Sequence, residues 1–375
     1  MRKAIIVVRV IGTMLGGLVF LVGAFVHASV AASDLGKPSI TLDELIDGAK
    51  KEGKLTFYSA LPQFSNQQLL KAFMDTYPFV KAEVVRGGGP VIAQRFSAEK
   101  ARNVENMDVI YSGAAEAYPE WAKSDYIARV DNLPEWSNVI DLAKAPSGRY
   151  IAFGYALHVL AWNRKLIKDD EVPSDLWDFT KPDWKDKTAS GDPLSAGFAL
   201  NWYSFAAGDR PQDPRSNGKP PGLGWKWMSA MTQNGLLLAG QLGNLTDTLV
   251  SGRRPIVLQH WDTEIVEAIK QGADLGWKYP KQGTVAQHIL GAVNSKAPDP
   301  YAARLYLNWL LSKEGQTIMV KDVAMNIVRK DMQTSDFLPG RMPLSDAWIM
   351  DIEKITPDQT RAFVTKLGET LGAGH

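Results

Sequence analysis

The sequence predicts an α/β protein built as two lobes, and three observations support this prediction. Strand, loop and helix patterns alternate three times between residues 54 and 124, which is typical of βαβ units with a parallel sheet. The chain has 375 residues, more than one domain of ~150 residues needs. Residues 150–162 form a long extended stretch, rich in aromatic and β-branched side chains, that favours strands crossing between lobes.

The N-terminus has the three-part layout of a secretory signal peptide. Two basic residues precede an apolar stretch over residues 4–26, and small residues follow it. The alternative is an uncleaved membrane anchor, because residues 10–26 supply 17 residues, close to the lower limit for spanning a bilayer. The basic flank and the small residues favour cleavage after Ala31 or Ala32. We therefore expect residues 1–32 to be a signal peptide.

Charge and composition exclude several classes of protein. Lys and Arg number 42 against 41 Asp and Glu, so no basic surplus attracts nucleic acid. Removal of residues 1–32 takes away three basic residues and changes the net charge from +1 to −2. The absence of cysteine excludes disulfides, thiolate metal sites and lipid attachment through an N-terminal cysteine. We expect an exported periplasmic protein with no nucleic-acid partner and no cofactor.

The first half of the mature chain begins with a capping box. Thr41 to Glu44 predicts a helix over residues 42–52 that ends at Gly53. The other elements predicted in this half are strands 54–59, 80–85 and 107–111 and helices 67–77, 91–103 and 116–124. Ligands of such sheets bind at the loops beyond the carboxyl ends of the strands. These loops are residues 59–65, 86–90 and 112–115.

The second half of the chain begins with the extended stretch of residues 150–162, which we interpret as two strands. The polar loop 188–197 leads into a helix over residues 198–207, and a surface loop rich in Pro, Gly and Asp covers residues 209–224. Further predicted elements are helices 225–234 and 247–252, strand 255–259 and a long amphipathic helix 299–322.

The loop from Arg86 to Pro90 is the most informative one for function. Its three glycines allow a ligand to approach the backbone, and Pro90 stands where a helix begins. A helix N-terminus attracts anions, and Arg86 adds a bidentate donor. The loop lacks both the Walker A and the dinucleotide-binding spacing. The alternative is a tight turn with a solvated arginine.

A matching loop in the second half runs from Gly191 to Gly197. It offers the Asp192 carboxylate, the Ser195 hydroxyl and the N–H groups of the next helix. The alternative is a loop that only caps this helix.

Aromatic residues near these loops are candidate walls of a ligand pocket. Tyr203 follows the second loop, and Trp261 and Asp262 follow a predicted strand. For each aromatic residue the alternative is core packing, because the chain has 12 tryptophans and most of them must pack in the interior.

Enzyme signatures are weak. The five histidines include no H-E-x-x-H pair, and no G-x-S-x-G elbow is present. Ser97 and Lys100 match S-x-x-K, but they lie in a charged helical stretch without the partner motifs. We therefore expect no catalytic residues.

Several stretches resemble the periplasmic solute-binding proteins of ABC importers, in the family 1 branch that includes ferric-ion-binding proteins. The stretches are residues 52–59, 108–112, 162–165, 182–185 and 302–316. Their order and spacing carry the resemblance, which extends from about residue 50 to 320.

The resemblance implies a type II-like periplasmic binding fold of two lobes, with mixed sheets flanked by helices and a hinge between the lobes. A "Venus flytrap" closure over the solute would present the loaded protein, as a monomer, to an ABC permease in the inner membrane. Lobe I would comprise residues 33–152 and about 285–325, and lobe II residues 153–284 and about 326–375. With Arg86 and Tyr203, the predicted ligand-binding residues are Tyr58, Ser59, Gly87, Gly88, Ser112, Gly113, Asp192, Ser195, Trp261 and Asp262.

The sequence departs from the ferric pattern. Iron-binding members use adjacent tyrosines in the second lobe, whereas His260 and Trp261 stand at the nearest strand end here, and residues 59–65 contain no histidine. A ferric ion needs phenolate, carboxylate or imidazole ligands. We therefore predict no metal site and favour a small organic or phosphorylated anion as the solute. Ferric ion, an oligosaccharide and a secreted hydrolase remain as alternatives.

Overall fold

The computed structural model describes residues 35–372, so the predicted signal peptide lies outside the described residues. Across that part of the chain, every helix is too short or too polar to cross a membrane. The strands are β1 (Lys54–Ser59), β2 (Lys81–Arg86), β3 (Val109–Tyr111), β4 (Ile151–Asn163), β5 (Thr188–Ser190), β6 (Leu237–Leu238), β7 (Ile256–Trp261), β8 (Leu275–Lys278) and β9 (Ala286–Val293).

The helices flank a mixed sheet. Its strand order is β2-β1-β3-β9-β4-β7-β5-β6, with β8 also paired to β4. The helices are α1 (Leu42–Glu52), α2 (Gln63–Thr76), α3 (Gly89–Ala101), α4 (Ala117–Lys123), α5 (Gly197–Ala207), α6 (Gly224–Gln233), α7 (Leu242–Val250), α8 (Asp262–Lys270), α9 (Pro300–Leu311), α10 (Lys313–Lys321) and α11 (Pro357–Leu371).

The first half of the chain confirms the predicted alternation of strands and helices. β1 pairs in parallel with β2 and with β3, so that Phe57 lies between Val84 and Val109. The carboxyl ends of these three strands therefore meet at one edge of the sheet, where their loops gather. The capping box of α1 is also present, with the Thr41 hydroxyl accepting from the backbone N–H of Glu44.

Strand β4 joins two groups of strands. Residues 151–157 pair antiparallel with β9, whereas residues 158–163 pair antiparallel with β7 and β8. The prediction of two strands here was wrong, because all 13 residues are buried and hydrogen-bonded partners are available along the whole length. One continuous strand thus runs from the β1–β3 side of the sheet to the β5–β7 side.

Three predicted helices differ from the observed ones by more than two residues. α2 begins at Gln63, four residues before the predicted start. Pro62 precedes it and fixes the backbone there, and no side chain caps the helix. α7 begins at Leu242, five residues before the predicted start, and its N-cap Gln241 makes no side-chain cap that would signal it. The predicted helix 299–322 is two helices, because Ser312 is extended and its hydroxyl caps the N-terminus of α10.

Candidate functional site

A cleft of about 640 Å³ lies beside the loops that follow β1 and β2. Its first wall consists of residues 60–64, the Arg86–Gly88 turn and Val91 of α3. Its second wall consists of residues 241–246 at the start of α7 and residues 264–271 of α8. Small-molecule sites commonly have volumes of ~300–1,000 Å³, so this cleft has the size for a small solute.

Arg86 ties the two loops of the first wall together. Its Nε donates to the carbonyl oxygen of Leu61 at 2.9 Å. Among the described residues this is the one hydrogen bond of its side chain, so both Nη nitrogens remain for a ligand. A guanidinium held in this way offers a pair of donors suited to a carboxylate or phosphate.

Two helix N-termini face the same cleft. The N-cap residues Gly88 of α3 and Gln241 of α7 both line it, and neither makes a side-chain cap. The first N–H groups of each helix thus lack a capping side chain and carry partial positive charge. Together with Arg86 they make this part of the cleft attractive to an anionic group.

The α8 side of the cleft has the opposite charge. Glu264 and Glu267 line it one helical turn apart. Burial and the neighbouring Glu267 raise the pKa of Glu264 to about 7, against the opposing effect of Arg86. The cleft is therefore polarised, with donors around Arg86 and acceptors on α8.

Next to the cleft, the backbone of Gly113 meets the start of α5. A Cβ atom added to Gly197 would lie 2.8 Å from the carbonyl oxygen of Gly113. We call this contact the glycine seam. It joins the loop after β3 to α5 with no side chain between them.

The sequence-predicted residues divide into three groups. Arg86, Gly87 and Gly88 line the cleft, and Gly113 forms part of the glycine seam. Arg86, Gly87 and Gly88 are thus the predicted residues that line the cleft.

The second group stabilises the loops themselves. The Tyr58 hydroxyl donates to Glu99 at 3.0 Å. The Ser59 and Ser112 hydroxyls accept from backbone N–H groups two residues later, at 3.1 Å and 3.2 Å. Asp192 does the same for Leu194 at 2.9 Å, and Ser195 is exposed while its carbonyl accepts from the Gln241 side chain. The side-chain hydrogen bond of Asp192 lies within the second loop itself, and the N-cap residue of α5, Ala196, makes no side-chain cap.

The third group is buried in the core. Tyr203 is fully buried, and Trp261 is 2% exposed and packs edge-on against Phe198. Asp262 accepts from the backbone of Leu157 at 3.1 Å and forms an ion pair with Arg341.

Burial raises the pKa of Asp262 to about 6, and Arg341 opposes the shift. Because a buried carboxylate is costly without such partners, the contacts of Asp262 serve the fold.

Sequence reasoning missed the second wall of the cleft. Gln241 and Asn244 carry no ligand-binding motif, although Asn244 begins an N-x-T glycosylation sequon. The helical spacing of Glu264 and Glu267 is equally typical of a solvated helix face. Their place opposite Arg86 arises from contacts between distant segments. The spacing of Glu264 and Glu267 was the available signal in the sequence. It does not distinguish a ligand-binding helix face from a solvated one.

The three histidines within residues 35–372 are buried in the fold. Burial lowers the pKa of His158 to about 3 and that of His260 and His288 to about 4. These three rings are therefore neutral at physiological pH. Within residues 35–372 there is no group of three or more His, Cys, Asp or Glu side chains placed to hold a metal ion.

The sequence matches a family model described as "Bacterial extracellular solute-binding protein" over residues 68–343. A comparison with curated proteins finds no match. Several hundred solved chains are similar in structure.

Three similar structures illustrate the fold. One is a substrate-binding protein of the ABC transporter from Agrobacterium tumefaciens, with a TM-score of 0.74, 17% identity, and coverage of 87% of this chain and 96% of that one. Another is the periplasmic binding protein AfuA from Actinobacillus pleuropneumoniae with fructose-6-phosphate bound, with a TM-score of 0.72, 19% identity, and coverage of 86% and 99%. The third is iron-bound HitA from Pseudomonas aeruginosa, with a TM-score of 0.64, 19% identity, and coverage of 84% and 99%. The fold is thus that of a two-lobed periplasmic binding protein.

Proposed function

The chain belongs to the bacterial extracellular solute-binding protein family, and on that premise we propose that it captures a small anionic solute in the cleft and delivers it to an ABC permease. The observation that carries the proposal is the cleft itself. Arg86 and the N-termini of α3 and α7 converge on a volume of about 640 Å³. Such a set of donors favours a carboxylate or phosphate over a neutral solute.

Proteins of similar structure are described with a phosphorylated anion and with a metal ion. AfuA is described with fructose-6-phosphate and HitA with iron. For this chain we favour the organic or phosphorylated anion, because Arg86 and the N-termini of α3 and α7 bring hydrogen-bond donors and positive charge to the cleft. Ferric ion is the second candidate, supported by the likeness to HitA.

We propose that residues 33–152, with about 285–325, move as one lobe, and that residues 153–284, with about 326–375, move as the other. Strand β4 would then cross between the lobes, since it pairs with β9 over residues 151–157 and with β7 and β8 over residues 158–163. The cleft walls then belong to different lobes, so that closure surrounds the solute. The family is extracellular, which agrees with export, and cleavage of residues 1–32 remains a prediction.

The test is a thermal-shift and calorimetry screen of residues 33–375, using phosphate esters, small carboxylates, oligosaccharides and ferric salts with and without citrate. A ligand at 100 times its Kd raises the free energy of unfolding by ~2.7 kcal/mol, enough to shift Tm clearly. We expect a shift with one class of anion. A shift with ferric salts alone would favour the second candidate, and hydrolysis of an ester would indicate an enzyme.

Arg86→Ala is expected to weaken binding of that anion by ~1.5–3 kcal/mol, the value of a hydrogen bond to a charged group. This corresponds to roughly a ten- to hundred-fold increase in Kd. Arg102→Ala is the matched control, because Arg102 is exposed at the other end of α3, outside the cleft. An unchanged Kd in Arg86→Ala would remove Arg86 from the site and with it the main support for an anion.

A further inference from the structure

A second, smaller cavity lies on the far side of the glycine seam. Its volume of about 10 Å³ is that of a single water-sized group. Gly113 and Gly197 form one side of it, and α5, β9 and α11 form the others. We call it the inner cavity.

Several polar atoms around the inner cavity lack hydrogen-bond partners. Asn201 and Gln287 line it and are 4% and 2% exposed. Within the described part of the chain, the buried atoms here without a hydrogen bond are Asn201 Oδ1 and Nδ2, Gln287 Oε1, Arg210 Nε and Thr360 Oγ1. A buried polar group left unpaired costs ~1–3 kcal/mol, so such a concentration at one void indicates a place for a ligand.

Two opposite charges complete the lining. Glu116 precedes α4 and Arg210 follows α5, and they form no ion pair with each other in the described structure. Burial raises the pKa of Glu116 and lowers that of Arg210, although each charge favours the other. The Arg210 guanidinium stacks on the Phe363 ring at 4.5 Å, which holds it beside the cavity.

The inner cavity is adjacent to the cleft. A Cβ atom added to Gly113 would lie 3.7 Å from Gly89 Cα and 3.9 Å from the Cβ of Ala60, a residue of the first cleft wall. The Gly113 backbone and the Tyr111 hydroxyl, which is 3.5 Å from the same Cβ position, lie between the two at this point. Separation of Gly113 from Gly197 would join them into one space.

We propose that the inner cavity binds one hydroxyl group of the solute, so that the solute is a hydroxylated anion with its charge at Arg86. This inference rests on the proposed function. A hydroxyl has the size of the cavity, accepts from Arg210 or Asn201, and donates to Gln287 or Glu116. An ammonium group offers no acceptor to Arg210, a carboxylate offers no donor to Glu116, and a methyl group satisfies none of these atoms.

The test compares anions that differ in hydroxyl groups. Calorimetry on residues 33–375 would measure Kd for malate against succinate and for glycerol 3-phosphate against propyl phosphate. We expect the hydroxylated member of a pair to bind about ten-fold more tightly, since its absence leaves buried groups unpaired.

Asn201→Leu and Gln287→Met are expected to bring this ratio close to one. Asn201→Leu should also raise the Tm of the unliganded protein, because it removes an unpaired buried amide. Asn106→Leu is the control, since Asn106 is exposed and outside both cavities, and it should keep the ratio.

Equal binding within the pairs would overturn the inference, as would a ratio that persists in both variants. Either result leaves the proposed function standing, provided that Arg86→Ala weakens binding. If no anion binds the unmodified protein, the proposed function fails and the inference fails with it.

Discussion

At the scale of single residues, the charge of Glu264 is the most sensitive feature of the cleft. Its carboxylate shares the cleft with Glu267 and with Arg86. Burial and Glu267 raise its pKa to about 7, so the group changes charge near neutral pH. An ionised Glu264 opposes an anion bound at Arg86, whereas a protonated one does not.

Binding of an anion should therefore weaken as the pH rises from about 6 to about 8, because Glu264 loses its proton over this range. The measurement is the Kd of malate, whose carboxylates stay ionised there. We expect a several-fold increase in Kd for the unmodified protein and a nearly flat profile for Glu264→Gln. Glu369→Gln, an exposed position on α11, should keep the slope. A slope that survives in Glu264→Gln would assign the pH dependence to another group.

At the scale of elements, the break between α9 and α10 shows how one residue sets a helix boundary. The apolar periodicity continues through residues 299–322, which is why one helix was predicted. In the structure Ser312 leaves the helical conformation, and its hydroxyl accepts from Gly315 at 3.1 Å. Gly315 packs directly against the carbonyl oxygen of Trp309. A side chain at position 315 would push the two helices apart.

Gly315→Ala is accordingly expected to lower the free energy of unfolding by ~1–3 kcal/mol, the usual cost of overpacking. Chemical denaturation measures it. Gly243→Ala is the matched control: Gly243 lies in α7 and an added Cβ meets nothing within 4 Å. There alanine should stabilise by ~0.5–1 kcal/mol through helix propensity. Equal effects at the two positions would mean that the α9–α10 contact adjusts without cost.

At the scale of the whole molecule, β4 and β9 carry the connection between the two sides of the sheet. β9 pairs with β3 at one end and with β4 at the other, and β4 continues to β7. A hinge in these strands would open the cleft and the glycine seam together. At the seam the two sides make a close backbone contact.

Gly197→Ala should hold the glycine seam apart, because the added Cβ would lie 2.8 Å from the Gly113 carbonyl oxygen. A clash of ~1–3 kcal/mol in the solute-free state, where the seam is closed, would favour the open form about 5- to 150-fold. Small-angle scattering without ligand should then give a larger radius of gyration than for the unmodified protein. Gly36→Ala is the control, since an added Cβ there meets nothing within 4 Å. An unchanged radius of gyration in Gly197→Ala would place the closure contact elsewhere.

The sequence by itself determined what local patterns encode. The alternation of β1 to β3 with their helices, the capping box at Thr41 and the glycine loop after Arg86 each depend on neighbours within a few residues. Such signals survive without knowledge of the fold, because backbone conformation and hydrophobic periodicity are local properties.

The tertiary structure decided which of those residues meet. The sequence predicted that Asp262, at the end of a strand, binds the ligand. In the structure its carboxylate pairs in the core with Arg341, 79 positions later. The inner cavity draws Glu116, Asn201, Arg210 and Gln287 from separate segments. No local pattern marks these residues, because their chemistry comes from burial and from partners that are distant in the chain.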